Sequence, residues 1–203
     1  YDGPFADARL NRDALAVKDL GDVTPDVAQT RAAAFLGCPE SELKRENDVD
    51  GALALYCFSR VEKTVAVTRQ GGLLCSITGP CDTEAAAIDA RAAVKIAKRF
   101  LKSAGYDQMR ESYYSTFDGV CTVNFAFVQN RVVCYADLIK VSVALDTGAI
   151  VGVDARGYLM NHTARIFPEA ALTREEAVSR LASNLTLLDA ATALIPCDDG
   201  NER

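Results

Sequence analysis

The chain is poor in the residues that most site chemistry needs. It has one histidine, His162, and none of its seven cysteines forms a Cys-x-x-Cys pair. A zinc site with paired ligands therefore has no support, and a Cys–His hydrolase would have to use His162 with Cys81 or Cys134. No run of about 18 apolar residues occurs, so no segment reads as a membrane-crossing helix. Basic charge is in deficit, with 22 Lys and Arg against 28 Asp and Glu and a net charge of −6. That balance argues against a nucleic-acid partner, which selects a clustered cationic face. The one basic cluster, Lys95, Lys98, Arg99 and Lys102, falls on the polar side of an expected helix and reads as a solvated stripe. The chain also opens without Met, and Tyr1-Asp2-Gly3-Pro4-Phe5 has no charged-then-apolar signal character. It reads as a processed fragment whose leader or anchor lies elsewhere.

Hydrophobic residues make up 49% and charged residues 25% of the 203, enough for a packed core and unlike a disordered chain. Four cysteines, Cys57, Cys75, Cys121 and Cys134, lie in apolar strand-like runs, where a thiol behaves as a small hydrophobe. With Cys38, Cys81 and Cys197 the count is odd, and buried thiols fit better than a disulfide framework.

The strongest signal is internal repetition. Residues 64–78 align without gaps on residues 140–154: an alternating strand, a turn ending in Gly, and a second alternating strand. With Gly148 left-handed in a three-residue loop, Leu145 is expected opposite Ala149, Val143 opposite Val151 and Val141 opposite Val153. Ser142, Gly152 and Asp154 then share the other face. In the first copy the same register puts Val65, Val67, Cys75 and Ile77 on the apolar face.

A helix precedes each hairpin. The first is expected from Thr24, an N-cap followed by Pro25, to Gly37, burying Ala28, Ala32, Phe35 and Leu36. The second is expected from about Thr83 to Ala104, with Ile88, Ala92, Ile96 and Phe100 as its stripe. A third opens at Thr173 in a capping box with Glu176 and is expected to bury Ala177, Leu181 and Leu185, with no strands after it. In the second copy, 120–128 and 131–135 flank an expected Gln129-Asn130 turn. Apolar parity then switches from Val132 and Cys134 to Val141 and Val143, which predicts a one-residue bulge near 136–139. The fold class is thus α+β, tandem repeats of a helix packed on an antiparallel β-meander. The expected organisation is a lead-in over 1–23, repeats at 24–79 and 82–160, and the helix of a truncated third repeat within 168–203.

A helix followed by strands ending in Asp146-Thr147-Gly148-Ala149-Ile150-Val151-Gly152 resembles the PepSY module. The stretch 134–148, the run Gly157-Tyr158-Leu159-Met160-Asn161-His162 and the opening Tyr1–Phe5 are similar to the spore-germination members of that family. The resemblance covers residue 1 to about 185. It implies an extracytoplasmic protein at the outer face of the spore inner membrane, anchored by an N-terminal helix absent from this chain. It also implies a partner, a spore cortex-lytic cell-wall hydrolase that depends on it for stable incorporation. The family has three PepSY copies, so a chain with two and the head of a third departs from it. PepSY modules in protease propeptides leave a second class open, a peptidase inhibitor or intramolecular chaperone.

No catalytic constellation, metal site or cofactor is expected. Asp146-Thr147-Gly148 matches an aspartic-protease loop, but the first copy has Gln70-Gly71-Gly72 there, so one chain completes no dyad. Only a homodimer could supply the second carboxylate, which leaves a hydrolase using Asp146 as a remote alternative. Turn geometry explains the same residues, Asp opening the turn and Gly taking positive φ. His162 reads as a polar anchor leaving the second sheet. Asn161-His162-Thr163 and Asn184-Leu185-Thr186 fit the glycosylation pattern, but the bacterial source that the resemblance implies makes both chance matches, and Cys197-Asp198-Asp199-Gly200 reads as a terminal turn rather than a cation loop. Tyr158, Leu159 and Met160 form an apolar run that either wedges one repeat against the next or docks a partner, with Asn161 and His162 as polar anchors. These five are the candidate partner-binding residues.

Overall fold

The computed structural model describes residues 13–167, 169, 172–187, 190–197 and 202. The opening Tyr1–Phe5 motif and Asp198–Gly200 lie outside them. Helix α1 spans Pro25–Leu36. Thr24 caps it by accepting from the Val27 amide, and Gly37 closes it with a left-handed φ of 63°. Strands β1 (Lys44–Arg45), β2 (Leu55–Arg60), β3 (Lys63–Thr68) and β4 (Leu74–Thr78) follow. Helix α2 (Ala90–Ser103) leads into β5 (Met109–Phe117), β6 (Val120–Gln129), β7 (Val132–Ala144) and β8 (Ile150–Asp154). Short helices α3 (Arg156–Asn161) and α4 (Arg174–Ser179) and strand β9 (Ala193–Leu194) complete the order.

The fold is α+β as the patterning implies, but the two meanders do not form separate sheets. They join edge to edge in one sheet, ordered β1-β2-β3-β4-β8-β7-β6-β5, with β9 beside β7. The seam is narrow: β4 meets β8 through Ser76 opposite Asp154 and Ile77 opposite Val153. Helix α1 lies on β2 and β3, and α2 on β5, β6 and β7. Both pack on one continuous core that includes Val65, Val67, Ile77, Val123, Phe125, Ile139 and Val141.

Both expected hairpins are present, with a shared refinement. Val141 pairs Val153 as expected, but Val143 pairs Ile150 rather than Val151, because the register slips between Ser142 and Val143. The first copy slips at the equivalent place, between Ala66 and Val67, so that Val67 pairs Leu74. A bulge at the same position lets the bulged residue, Cys75 or Val151, stay on the buried side. Gly148 has the expected positive φ of 74°.

Four expectations shift. Helix α2 starts at Ala90, capped by Asp89, not near Thr83. The segment before it is irregular, with the Ala87 and Ile88 amides donating to the Leu145 carbonyl and the Glu84 amide to Asp146. The turn after β6 is Asn130-Arg131, both at positive φ, one residue later than expected. The capping box of Thr173 and Glu176 is present, but α4 stops at Ser179 and its apolar side is not buried: Ala177 is exposed, and Leu181 and Leu185 are 44% and 60% exposed. Strand β9 then follows it, where no strand was expected.

Candidate functional site: the β7 bulge and helix α3

The parity switch in β7 is real and larger than one residue. Ala126 pairs Leu138 while Phe127 pairs Cys134, so Tyr135, Ala136 and Asp137 bulge out of the ladder. Three is odd, and the faces flip as one insertion would flip them. The bulge places Asp137 at zero exposure, where a lone carboxylate would be costly.

The segment leaving α3 supplies the compensation. Arg165 grips Asp137 with both arms, Nη1 to Oδ2 and Nη2 to Oδ1, each at 2.8 Å. His162 Nδ1 lies 2.8 Å from Asp137 Oδ2, a bond that needs the proton on Nδ1. Arg165 also donates from Nε and Nη2 to the two carboxylate oxygens of Glu202, at 2.7 and 2.8 Å. Asn161 Nδ2 reaches the Ala136 carbonyl in the bulge at 3.1 Å. Gln129 brackets the Arg165 backbone, donating to its carbonyl and accepting from its amide. Burial alone would favour a neutral Arg165; the Asp137 and Glu202 bonds outweigh it and hold the guanidinium charged.

The rings form a second layer. His162 stacks on Tyr158 with centroids 4.3 Å apart and planes 13° from parallel, and Phe127 meets His162 edge-on at 4.4 Å. Tyr106 meets Tyr158 edge-on at 5.1 Å. Burial, and then the Asp137 charge, push the Tyr158 hydroxyl up to about 12. Gly157 is required by this packing. A Cβ there would stand 2.8 Å from the Leu138 carbonyl oxygen, a backbone atom. We expect Gly157→Ala to destabilise by about 1–3 kcal/mol, although Ala is the better helix former by about 1 kcal/mol. Urea unfolding checks it; a neutral or stabilising result would mean α3 is not seated on β7.

The five candidate partner-binding residues divide. Leu159, Met160 and Asn161 are buried, at 0%, 8% and 3% exposure, the first two within the core. The reason lies in the lead-in, whose Leu15 and Ala16 amides donate to the Met160 and Leu159 carbonyls and cover α3. Tyr158 and His162 remain half-buried, with reachable edges. Asp137, Arg165 and Glu202 were missed by sequence reasoning; the parity switch located the bulge but not the charge inside it.

Other chemistry resolves into structure. Asp146 accepts from the Thr147 amide and hydroxyl through Oδ1 and from the Glu84 amide through Oδ2; these bonds, the Glu84 one foremost, hold it below the usual carboxylate range. Cys134, once a nucleophile candidate, is fully buried, and burial lifts its thiol to about 11. Cys81 lies near Asp146 and Lys63, at the Gly148 end of the sheet, and its thiol is raised by burial. Cys75 is buried as expected, its thiol lifted by burial and then by Asp154 to about 12. Cys57 is only half-buried. Among the described residues no group of three or more His, Cys, Asp or Glu side chains could hold a metal ion, and no helix is long and apolar enough to cross a membrane.

A helix packed on each antiparallel meander is the arrangement that the PepSY resemblance implies. The match to known proteins is consistent with this: residues 1–168 fit the model of the YpeB sporulation family, PepSY1 and PepSY2 domains. The chain belongs to that family. It is 37% identical over 106 residues to the sporulation protein YpeB of Halalkalibacterium halodurans, covering 52% of this chain and 24% of that protein. The Bacillus subtilis protein of the same name is 34% identical over 105 residues, 51% of this chain and 23% of that one. The Oceanobacillus iheyensis protein is 31% identical over 106 residues, 52% and 24%. The matched segment thus spans about a quarter of each relative. The solved Bacillus megaterium YpeB C-terminal domain has the same fold, with a TM-score of 0.80 at 22% identity over 89% of this chain and 84% of that one.

Proposed function

We propose that this chain is a non-catalytic region of a sporulation protein that acts by contact, binding and stabilising a spore cortex-lytic cell-wall hydrolase at the outer face of the spore inner membrane. The family match over residues 1–168 carries the reading. The side chains support it, since the groups best suited to catalysis are engaged in holding the fold. His162 stacks on Tyr158 and bonds Asp137, and Asp146 ties a turn to the segment before α2. The proposal includes two units, 24–79 and 82–160, followed by the helix of a third.

The test uses spores whose full-length protein carries or lacks this region. Loss of the hydrolase from the spore when the region is deleted, with the remaining protein still present, is the expected result. Full hydrolase retention without the region overturns the binding reading. Peptidoglycan fragments released by the purified chain alone overturn the non-catalytic one. Inhibition of a peptidase without any effect on the hydrolase moves the protein to the inhibitor class.

A further inference from the structure

The outer strands of the sheet are β1 and β5, and they end it in opposite ways. Strand β1 is two residues long, and both, Lys44 and Arg45, are charged and exposed. A short cationic edge of that kind repels further strands. Strand β5 is nine residues long, and from Ser112 to Phe117 it carries no charge and no proline, in a chain that is 25% charged. Phe117 is 85% exposed and Tyr114 49%. A bulge interrupts the β5 ladder between Glu111 and Tyr113, which leaves 113–117 as its regular part.

Which backbone groups face outward follows from the turn between β5 and β6. Asp118 and Gly119 are both at positive φ, 46° and 70°, the two-residue hairpin turn that twists with its strands, and Phe117 and Val120 flank it as a pair. That pair is hydrogen-bonded, and antiparallel pairs alternate. Ser115 and Tyr113 therefore also bond to β6, while Tyr114 and Thr116 turn their N–H and C=O groups away from it. Among the described residues no other backbone group meets those of Tyr114 and Thr116. The side chains alternate too. Tyr114 is in line with Val123 and Val141 of the core and so lies on the helix side with Thr116, whereas Tyr113, Ser115 and Phe117 share the other face.

We propose that β5 pairs with β5 of a second copy of this chain, antiparallel about a two-fold axis at Ser115, so that two sheets become one. No other register overlaps the whole of 113–117, and in this one the stretch is complementary to itself. Tyr114 lies opposite the partner's Thr116 and exchanges both backbone bonds with it, and the two-fold repeats this at Thr116, so every outward group of both residues is satisfied. At the positions between, where side chains stand closest, Phe117 meets the partner's Tyr113 and Ser115 meets the partner's Ser115. Phe117 thus gains an aromatic neighbour, and no charge is set against a like charge. An extended peptide of another sequence could use the same backbone groups; the aromatic-to-aromatic and serine-to-serine match is what a second copy adds. Because β1 is closed by its charges, the pairing stops at two copies and does not run on as a fibre.

Sedimentation equilibrium of the intact chain, of mass 21.8 kDa, should show a monomer–dimer equilibrium with a midpoint on the order of 10–100 μM. Thr116→Pro removes an outward N–H, which an edge strand tolerates, and should raise that midpoint at least about tenfold. Ser115→Lys sets like charges together at the axis and should raise it about fivefold, as should Ser115→Glu. Mixing the Ser115→Lys and Ser115→Glu chains should restore the dimer, because residue 115 of one copy then meets the opposite charge on the other. Urea unfolding of each variant as a dilute monomer should match the parent chain. A chain that stays monomeric up to about 1 mM overturns the proposal. So does a dimer that Thr116→Pro leaves intact, or a pair of charge variants that mixing fails to rescue. Amide shifts at Tyr114 and Thr116 on adding a synthetic valine–threonine strand peptide to a chain that never dimerises overturn it as well, and would make β5 a docking edge for an extended partner.

Discussion

Asp137→Ala should cost about 3–5 kcal/mol of folding stability, because it strips the main partner from a buried guanidinium. The side chain of Arg165 is 9% exposed, and Asp137 supplies two of its bonds at 2.8 Å. Glu202 stays but is itself 29% exposed and cannot replace a fully buried carboxylate. The loss also frees His162 Nδ1 and unpins the bulge that Asn161 reaches through Ala136. The midpoint of urea unfolding should fall with little change in slope, as for a native-state effect. Arg165→Met alone should be nearly as costly, while the double variant should lose clearly less than the sum. Additive losses, or a loss for Asp137→Ala below about 1 kcal/mol, would mean the cluster behaves as a surface ion pair.

Leu159→Ala should cost about 2–5 kcal/mol, the range for a large-to-small change where the site cannot collapse. Leu159 has zero exposure and is gripped between the β4–β7 core and the lead-in, whose Ala16 amide bonds its carbonyl. Partner retention should be unchanged in the fraction that stays folded, since the side chain is fully buried. This separates packing from contact within the Tyr158–His162 run. A stable variant that no longer holds its partner would return Leu159 to the binding surface.

What could be read from the residues follows how local each cause is. The caps of α1 were legible because Thr24, Pro25 and Gly37 act within one turn of themselves. The hairpins were legible because two copies repeat one alternation, and the β7 bulge because an odd insertion must switch parity. The start of α2 was not, since Ile88 continues the helical spacing while packing, from an irregular segment, towards Gly148. The Asp137 cluster was hidden for a different reason. Its partners lie 25 and 28 residues away, and no periodicity marks a residue whose role is to neutralise another. The apolar stripe of α4 read as buried because spacing tells which residues share a side, not whether anything lies beneath them.

The narrow seam between β4 and β8 bears on what happens when the molecule is cut. Two residue pairs join strands whose side chains belong to one undivided core. Neither half is therefore a bead that can be unstrung. Separating them would bare a strand edge backed by Ile77 on one side or Val153 on the other, and such an edge recruits the next available strand. A proteolytic nick between residues 79 and 89 would leave the halves clasped and still melting together. Expressing either half alone should give filaments or inclusion bodies, so the minimum heritable unit of this architecture is the pair.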